Sequence, residues 1–304
     1  MNKNKLTMKQ ISWVSLAASA AFLAGCGGSS SSGGAATSPV SGVAFDGYLI
    51  GATVCADLNR NKACDAGEPT TTTSAPKGEF TLNLTDAQKA FPLVLQANAG
   101  TIDTDTNATP ALPLTYSAPA GATTVSAITT VLQSKIEAAL ASGAGAGKTQ
   151  AQLNADANAA LAAELGVTDV DLLNTDVIAG KNNTGNTDAQ REALAKLHLL
   201  NQVLTQQIAT VLPAAQANAA GNNTAAFNAL VSGLNVAAVI AAVNTDTAGL
   251  ALNELLNANQ DSVVSAPQPT APSTADIAAQ AQQDAAANAA AGQIPATGGT
   301  GGSS

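Results

Sequence analysis

The chain has 304 residues, of which 46% are hydrophobic but only 3% aromatic and 11% charged, and its formal net charge is -9. That length has room for more than one modest domain, with alanine supplying much of the core and Asn, Gln, Thr and Ser the exposed faces. An acidic chain without a basic run gains no counterion release from nucleic acid and no attraction from anionic headgroups, which argues against both as partners.

Lys3, Lys5 and Lys9 form a basic start, followed over residues 11–24 by an apolar run too short to span a bilayer as a helix. It closes on Leu23-Ala24-Gly25-Cys26, which resembles the lipobox of bacterial lipoproteins. The resemblance implies a signal peptide over residues 1–25 and a mature chain starting at Cys26, with a diacylglycerol on its thiol and an N-acyl chain on its amine. Two or more acyl chains give stable membrane attachment, where one alone is reversible. By similarity to lipoprotein sorting in Gram-negative bacteria, Gly27 after the cysteine implies the outer membrane, on a face the sequence leaves open. An ordinary signal peptide or an uncleaved anchor is the competing reading. Residues 26–41 then form a flexible Gly/Ser tether with little apolar area to bury.

Residues 42–117 carry strand signals. Val43, Phe45, Tyr48, Ile50 and Val54 are β-branched, aromatic or aliphatic, and Phe80, Leu82 and Leu84 alternate with Glu79, Thr81 and Asn83. Pro76-Lys77-Gly78 predicts the turn into that second strand. Residues 91–97 predict another, at an edge or strand start because Pro92 has no N–H to donate. Short strands at this spacing predict a small antiparallel sandwich. The runs Phe45-Asp46-Gly47-Tyr48, Gly51-Ala52-Thr53-Val54, Asp57-Leu58-Asn59-Arg60-Asn61, Asp65-Ala66-Gly67-Glu68-Pro69 and Gly78-Glu79-Phe80 resemble the carboxypeptidase-regulatory-like and Cna-B-type modules of bacterial surface proteins. That resemblance implies a prealbumin-like β-sandwich used as a stalk, spacer or binding module, usually without catalysis. Together with the lipobox and the Thr-rich run at 123–130, the chain also resembles uncharacterised proteobacterial lipoproteins.

Oxygen-bearing residues alternate through the same segment. With Asp57 as the first, Asn59, Asn61, the carbonyl of Ala63, Asp65 and Glu68 take the third, fifth, seventh, ninth and twelfth places of an EF-hand-like loop, a spacing that wraps hard oxygens around Ca2+. Lys62 stands where such a loop has Gly, and a residue with a Cβ in the left-handed conformation costs about 1 kcal/mol or more. A weak calcium site and a plain Asx-rich turn are both open. With Cys26 acylated, Cys55 and Cys64 are the remaining thiols in an oxidising compartment, with no His nearby for a metal site. Their pairing is predicted, with an interchain bridge as its rival.

From residue 118 the hydrophobic period changes to three and four, which predicts an Ala-rich helical bundle over 118–260. Val125, Ile128, Leu132, Ile136 and Leu140 mark one helix, and Leu153, Ala157, Leu161 and Leu165 a second, stopped by Gly166. Thr187 and Gln190 form a capping box ahead of Leu194, Leu197, Asn201, Leu204, Ile208 and Val211, with Pro213 predicted to end the helix and Asn201 to fix its register if buried. Further helical segments are predicted around Phe227, Leu230 and Leu234, over 236–243 and over 250–256. Residues 261–304 lack an apolar stripe and predict a disordered low-complexity tail, helical at most transiently near 278–291.

Catalytic patterns are weak. Residues 143–149, GAGAGKT, are similar to a phosphate loop, but Ser142 replaces its first glycine and a helix precedes it, so no nucleotide is expected. His198 is the single histidine and predicts a boundary residue beside the Leu194 and Leu197 seam, unable alone to build a zinc site. Asp103 with Asp105, and Asp169 with Asp171, share a face only if each pair lies on a strand; otherwise they are solvated loop acids. Trp13, the single tryptophan, falls in the signal peptide, which argues against a sugar-stacking platform. The sequence therefore predicts an α+β multidomain chain acting as a non-enzymatic, lipid-anchored envelope protein with a structural or interaction role. The alternatives are an envelope binding protein for a polysaccharide, peptide or protein, and a hydrolase for which no nucleophile, base and orienting group can be named together.

Overall fold

The computed structural model describes residues 35–111, 113–167 and 170–295, so the expected signal peptide, the acylated Cys26, most of the tether and Asp169 lie outside the described residues. The strands are β1 (Thr37–Ala44), β2 (Leu49–Ile50), β3 (Thr53–Ala56), β4 (Thr70–Thr72), β5 (Glu79–Thr85), β6 (Leu93–Gln96), β7 (Ile102–Asp103), β8 (Thr115–Ala118) and β9 (Thr124–Val125). The helices are α1 (Ala127–Ala141), α2 (Gln150–Leu165), α3 (Val177–Asn182), α4 (Asp188–Ala217), α5 (Asn223–Ser232), α6 (Val236–Asp246), α7 (Leu252–Leu256) and α8 (Thr274–Ala291). Sheets and helices are both present, as an α+β chain requires.

Among the described residues three small sheets form, with strand orders β5-β1-β9, β4-β3-β6-β8 and β2-β7. The alternation predicted for β5 is observed: Phe80, Leu82 and Leu84 are buried while Glu79, Thr81 and Asn83 are exposed. β6 is different, because Leu93, Val94 and Leu95 are all buried, the mark of a strand covered on both faces. One strand pair departs from the all-antiparallel expectation. β9 runs parallel to β1, pairing Thr124 with Val43 and Val125 with Ala44, so Val125 belongs to the sheet rather than to the helix predicted to include it.

Ser126 then caps α1, its N–H donating to Thr129 Oγ1 at 2.8 Å. The predicted Thr187–Gln190 box opens α4, and Gly166 ends α2 in a left-handed conformation with φ 65°. Helix α4 continues through Pro213 to Ala217, past the predicted stop. Proline inside a helix costs roughly 3 kcal/mol, and burial of Val211, Leu212 and Ala215 around it offsets that.

One continuous hydrophobic cluster runs from Phe45, Leu82 and Leu95 through Tyr116 and Leu132 to Leu204, Val239 and Ala287. The division predicted at 117/118 is thus crossed by a shared core, and the described residues from Ala36 onward form one compact unit. In place of the predicted disordered tail, α8 docks on α1 and α5, burying Ile277, Ala287 and Ala291. Asn228 Nδ2 donates to its Asp284 at 3.0 Å, and Ser273 and Asp276 cap its start. The stripe is made of alanine, which buries little area per residue but lets helices approach closely.

Candidate functional site

Two polar assemblies stand out, one in the 57–68 loop and one at the seam between sheets and α4. The loop begins where β3 ends. Cys55, buried in β3, is bonded to Cys64, with 5.6 Å between their Cα atoms, which realises the predicted disulfide. Inside this staple the oxygen-bearing side chains hold the backbone. Asp57 accepts from the Asn61 and Lys62 N–H groups at 2.9 and 3.0 Å, and Asn61 Oδ1 from the Ala63 N–H at 2.9 Å. Glu68 accepts from the Leu58 and Asp65 N–H groups at 2.7 and 3.0 Å, while Asn59 and Asn61 donate their amides to Asp65 Oδ2.

Lys62 adopts the left-handed conformation that the predicted calcium loop needs at its position, with φ 60°. Its ammonium pairs with Glu137 of α1, nearly out of contact with solvent, and Gln133 donates to the same carboxylate at 2.7 Å. Thr224, at the start of α5, donates to the Asn61 carbonyl at 2.7 Å. The loop is therefore fastened to the helices as well as to the sheet. Burial raises the Asp57 pKa against the pull of the Lys62 backbone and charge, whereas hydrogen bonds from Asn59 and Asn61 lower that of Asp65. The oxygens predicted to bind Ca2+ do share one loop and are of the right chemistry. In the present arrangement Asn59 and Asn61 turn nitrogen toward Asp65, and no group of three or more His, Cys, Asp or Glu converges to hold a metal among the described residues.

The seam arises from spacing along α4. His198, Asn201, Gln202 and Thr205 fall at i, i+3, i+4 and i+7, a single stripe, and all four are buried. They face the Phe45-Asp46-Gly47 turn and the segment after β7. Asn201 meets the predicted condition for fixing register: its Oδ1 accepts from the Ile128 N–H at 3.1 Å, and its Nδ2 donates to Asp46 Oδ1 at 3.2 Å. Gly47 is needed here, since a Cβ would stand 2.5 Å from the Asp105 amide nitrogen. Asp103 is buried and caps the next turn, accepting from the Asp105 N–H at 3.0 Å and Thr106 Oγ1 at 3.1 Å. It and Asp105 meet through that turn, not through strand alternation.

His198 is 1% exposed, which corrects the predicted boundary position. Its Nε2 lies 2.7 Å from the Asp46 carbonyl, which can only accept, so that nitrogen carries the proton and Nδ1 accepts from Lys181 Nζ at 2.8 Å. Asp105 Oδ2 lies 3.1 Å from the same Nε2 and also accepts from Gln202. Lys181, His198 and Asp105 thus form a chain that links an ammonium to a carboxylate through the imidazole. Burial would raise the Asp105 pKa, but His198, Gln202 and Lys181 outweigh it and hold it below the ordinary value. Burial, then the charge of Asp103, pushes Asp46 well up; burial raises Asp103 and lowers Lys181.

Beside these groups lies a cavity of about 360 Å³ whose wall includes Asp46, Asp103, Asp105, Gln202 and Thr205 together with Pro110 and Leu114. In the sequence His198 stands far from Asp103 and Asp105, and Asp46, Lys181 and Gln202 carry no catalytic pattern of their own. The polar stripe at helical spacing on α4 is the signal that could have joined them. Asp171 is not part of the site; it caps its own turn, accepting from the Leu173 N–H at 3.1 Å. No protein-family model matches the chain, no curated protein matches it, and no solved structure matches it.

Proposed function

We propose that the chain is a non-enzymatic lipoprotein of the cell envelope, acylated at Cys26 and held at the outer membrane, with a folded body that serves as a structural or interaction module. Its β part is read as a prealbumin-like sandwich. The observation that carries this is how the seam uses its acids. Asp46 engages Asn201, Asp103 caps a turn and Asp105 binds His198 and Gln202, so the three seam carboxyls are each tied to neighbouring elements of the fold. Cys26→Ser should move the protein from the membrane fraction to the soluble one; an unchanged distribution would remove the acyl anchor from this account.

Calcium is proposed for the stapled loop, with Asp57, Asn59, Asn61, the Ala63 carbonyl, Asp65 and Glu68 as ligands. The left-handed Lys62 and the gathering of these oxygens in one loop support it. Calorimetry on the full chain should give heat and a raised melting midpoint at millimolar CaCl2, and the absence of both overturns the site. A second reading, an envelope binding protein for a polysaccharide, peptide or protein, is favoured by the seam cavity, which combines apolar wall with convergent polar groups. Ala209 also stands in that wall, and filling the cavity with Ala209→Trp should abolish binding of such a partner.

A further inference from the structure

We infer that Lys181 and His198 form an acid-released clasp: the neutral imidazole holds the lysine against α4, and a second proton on the ring expels it and frees α3 and α7.

The clasp is a hydrogen bond between two buried nitrogens. Lys181, in the last turn of α3, is 8% exposed, and its Nζ stands 2.8 Å from Nδ1 of the deeper His198 on α4. The Asp46 carbonyl, 2.7 Å from Nε2, can only accept, so Nε2 must donate. Nδ1 is then able to accept for as long as the ring is neutral, and the ammonium supplies the donor. The same ammonium donates to the Leu256 carbonyl at 3.2 Å, one of the acceptors that the end of α7 leaves without an intrahelical partner. One side chain therefore ties α3 and α7 to α4.

Imidazole is the side chain that gains a proton on mild acidification. With both ring nitrogens protonated, Nδ1 becomes a donor facing an ammonium at hydrogen-bond distance, which puts two donors and two positive charges where the contact has room for one. The ring is the partner that stays. Asp105 Oδ2 lies 3.1 Å from Nε2, and Asp103 also feels the charge of the ring, so acids on the segment after β7 compensate an imidazolium. Burial lowers the Lys181 pKa against the pull of Asp105, so the lysine escapes an unfavourable position by turning outward to water.

The other charges packed around the pair are engaged elsewhere. The Asp46 carboxyl accepts from Asn201, and Arg191 on α4 donates to the Lys181 carbonyl rather than meeting its side chain. Glu254 caps the start of its own α7, accepting from the Ala251 N–H at 2.9 Å, and Asp176 at the start of α3 accepts from the Tyr48 hydroxyl at 2.9 Å. Helices of six and five residues do not persist without tertiary contacts, so α3 and α7 depend on what fastens them. α3 keeps buried Val177 and Ile178 when the clasp opens, whereas α7 keeps only buried Leu255, which makes α7 the more responsive of the two.

The chain has one histidine, so a ring 15N label reports His198 alone. The labelled full chain in detergent is taken from about pH 8 to about pH 5 by NMR, with amide hydrogen exchange followed in parallel. The ring should gain its second proton in that range. Protection over 252–256, corrected for the pH dependence of chemical exchange, should fall about tenfold or more with the same midpoint, and protection over 177–182 by less. His198→Gln, which cannot take up a proton, should leave both segments insensitive to pH. Lys181→Met, which fills the same space without a charge, should do so while the ring still titrates, and it carries the test if His198→Gln does not fold. A ring that gains its proton while both helices keep their protection overturns the proposal, as does a ring that stays neutral down to about pH 5. An equal loss of protection in either variant also overturns it, and assigns the opening to the seam carboxyls instead.

Discussion

At the scale of single residues the molecule concentrates its strain and charge in two places, and each leaves a measurable trace. Folding disfavours the charge on Asp46, because burial, then the charge of Asp103, pushes its pKa well above the ordinary 3.8. A group shifted in that direction contributes its stability fully below 3.8 and loses it as pH rises through the folded pKa. Asp46→Asn, which keeps a donor and an acceptor in place but cannot ionise, should therefore be more stable than the native protein at neutral pH, by on the order of 1 kcal/mol. Urea unfolding at several pH values checks this, and the difference should vanish toward pH 3.8. Asp105 has the opposite sign: its pKa is held down, so its contribution is present above 3.8 and is lost as pH falls through the folded value. A gap between native and Asp46→Asn that does not change with pH would contradict the assignment.

Lys62 is the other such residue. Its left-handed backbone carries a cost, and its ammonium closes a nearly buried pair with Glu137 across to α1. Removing one partner of such a pair strands the other charge. Lys62→Gly relieves the backbone but leaves Glu137 unpaired, and Glu137→Gln leaves Lys62 unpaired. The two changes together should cost less than the sum of the singles by about 1 kcal/mol or more, measured as a double-mutant cycle from urea midpoints. Strict additivity would mean that the pair does not couple the loop to the helix.

At the scale of elements, what could be read in advance followed the strength of the local signal. β5 was legible because large apolar residues alternate with polar ones, and α4 because Thr187, Gln190 and a leucine seam agree. The start of α1 was misplaced because Val125 satisfies a helical period and a strand equally well, and only pairing with Ala44 decides between them. α8 was illegible for a different reason. Its docked face is Ile277 and alanines, which no hydrophobic scale separates from an exposed Ala-rich helix, and its partners Ala225, Ala226 and Ala229 lie on a distant α5. Ile277, 4% exposed, tests that docking: Ile277→Ala should cost about 2 kcal/mol or more in urea unfolding, whereas a disordered segment would give no change.

At the scale of the whole molecule, the sheets and helices share one core, and the seam between them is where Asp46, Asp103 and Asp105 gather. Asp46, Asp103, Asp105, Lys181 and His198 come from four separate segments, so none of them is informative until the fold brings them together. The disulfide was legible because two thiols remained to be paired; the seam was not, because solvated loop acids have the same local sequence. A staple over nine positions contributes about 2 to 3 kcal/mol on a chain-entropy view, and it secures the loop that reaches from β3 to α1 and α5. The body is accordingly one scaffold, with the seam cleft open at its surface.

Native-state amide hydrogen exchange of the full chain at rising urea tests that shared core most directly. The slowest amides of β5, β6 and α4 should open together with one free energy, because one core serves both sheets and helices. Opening of the strand amides at a free energy clearly different from that of α4 would contradict it.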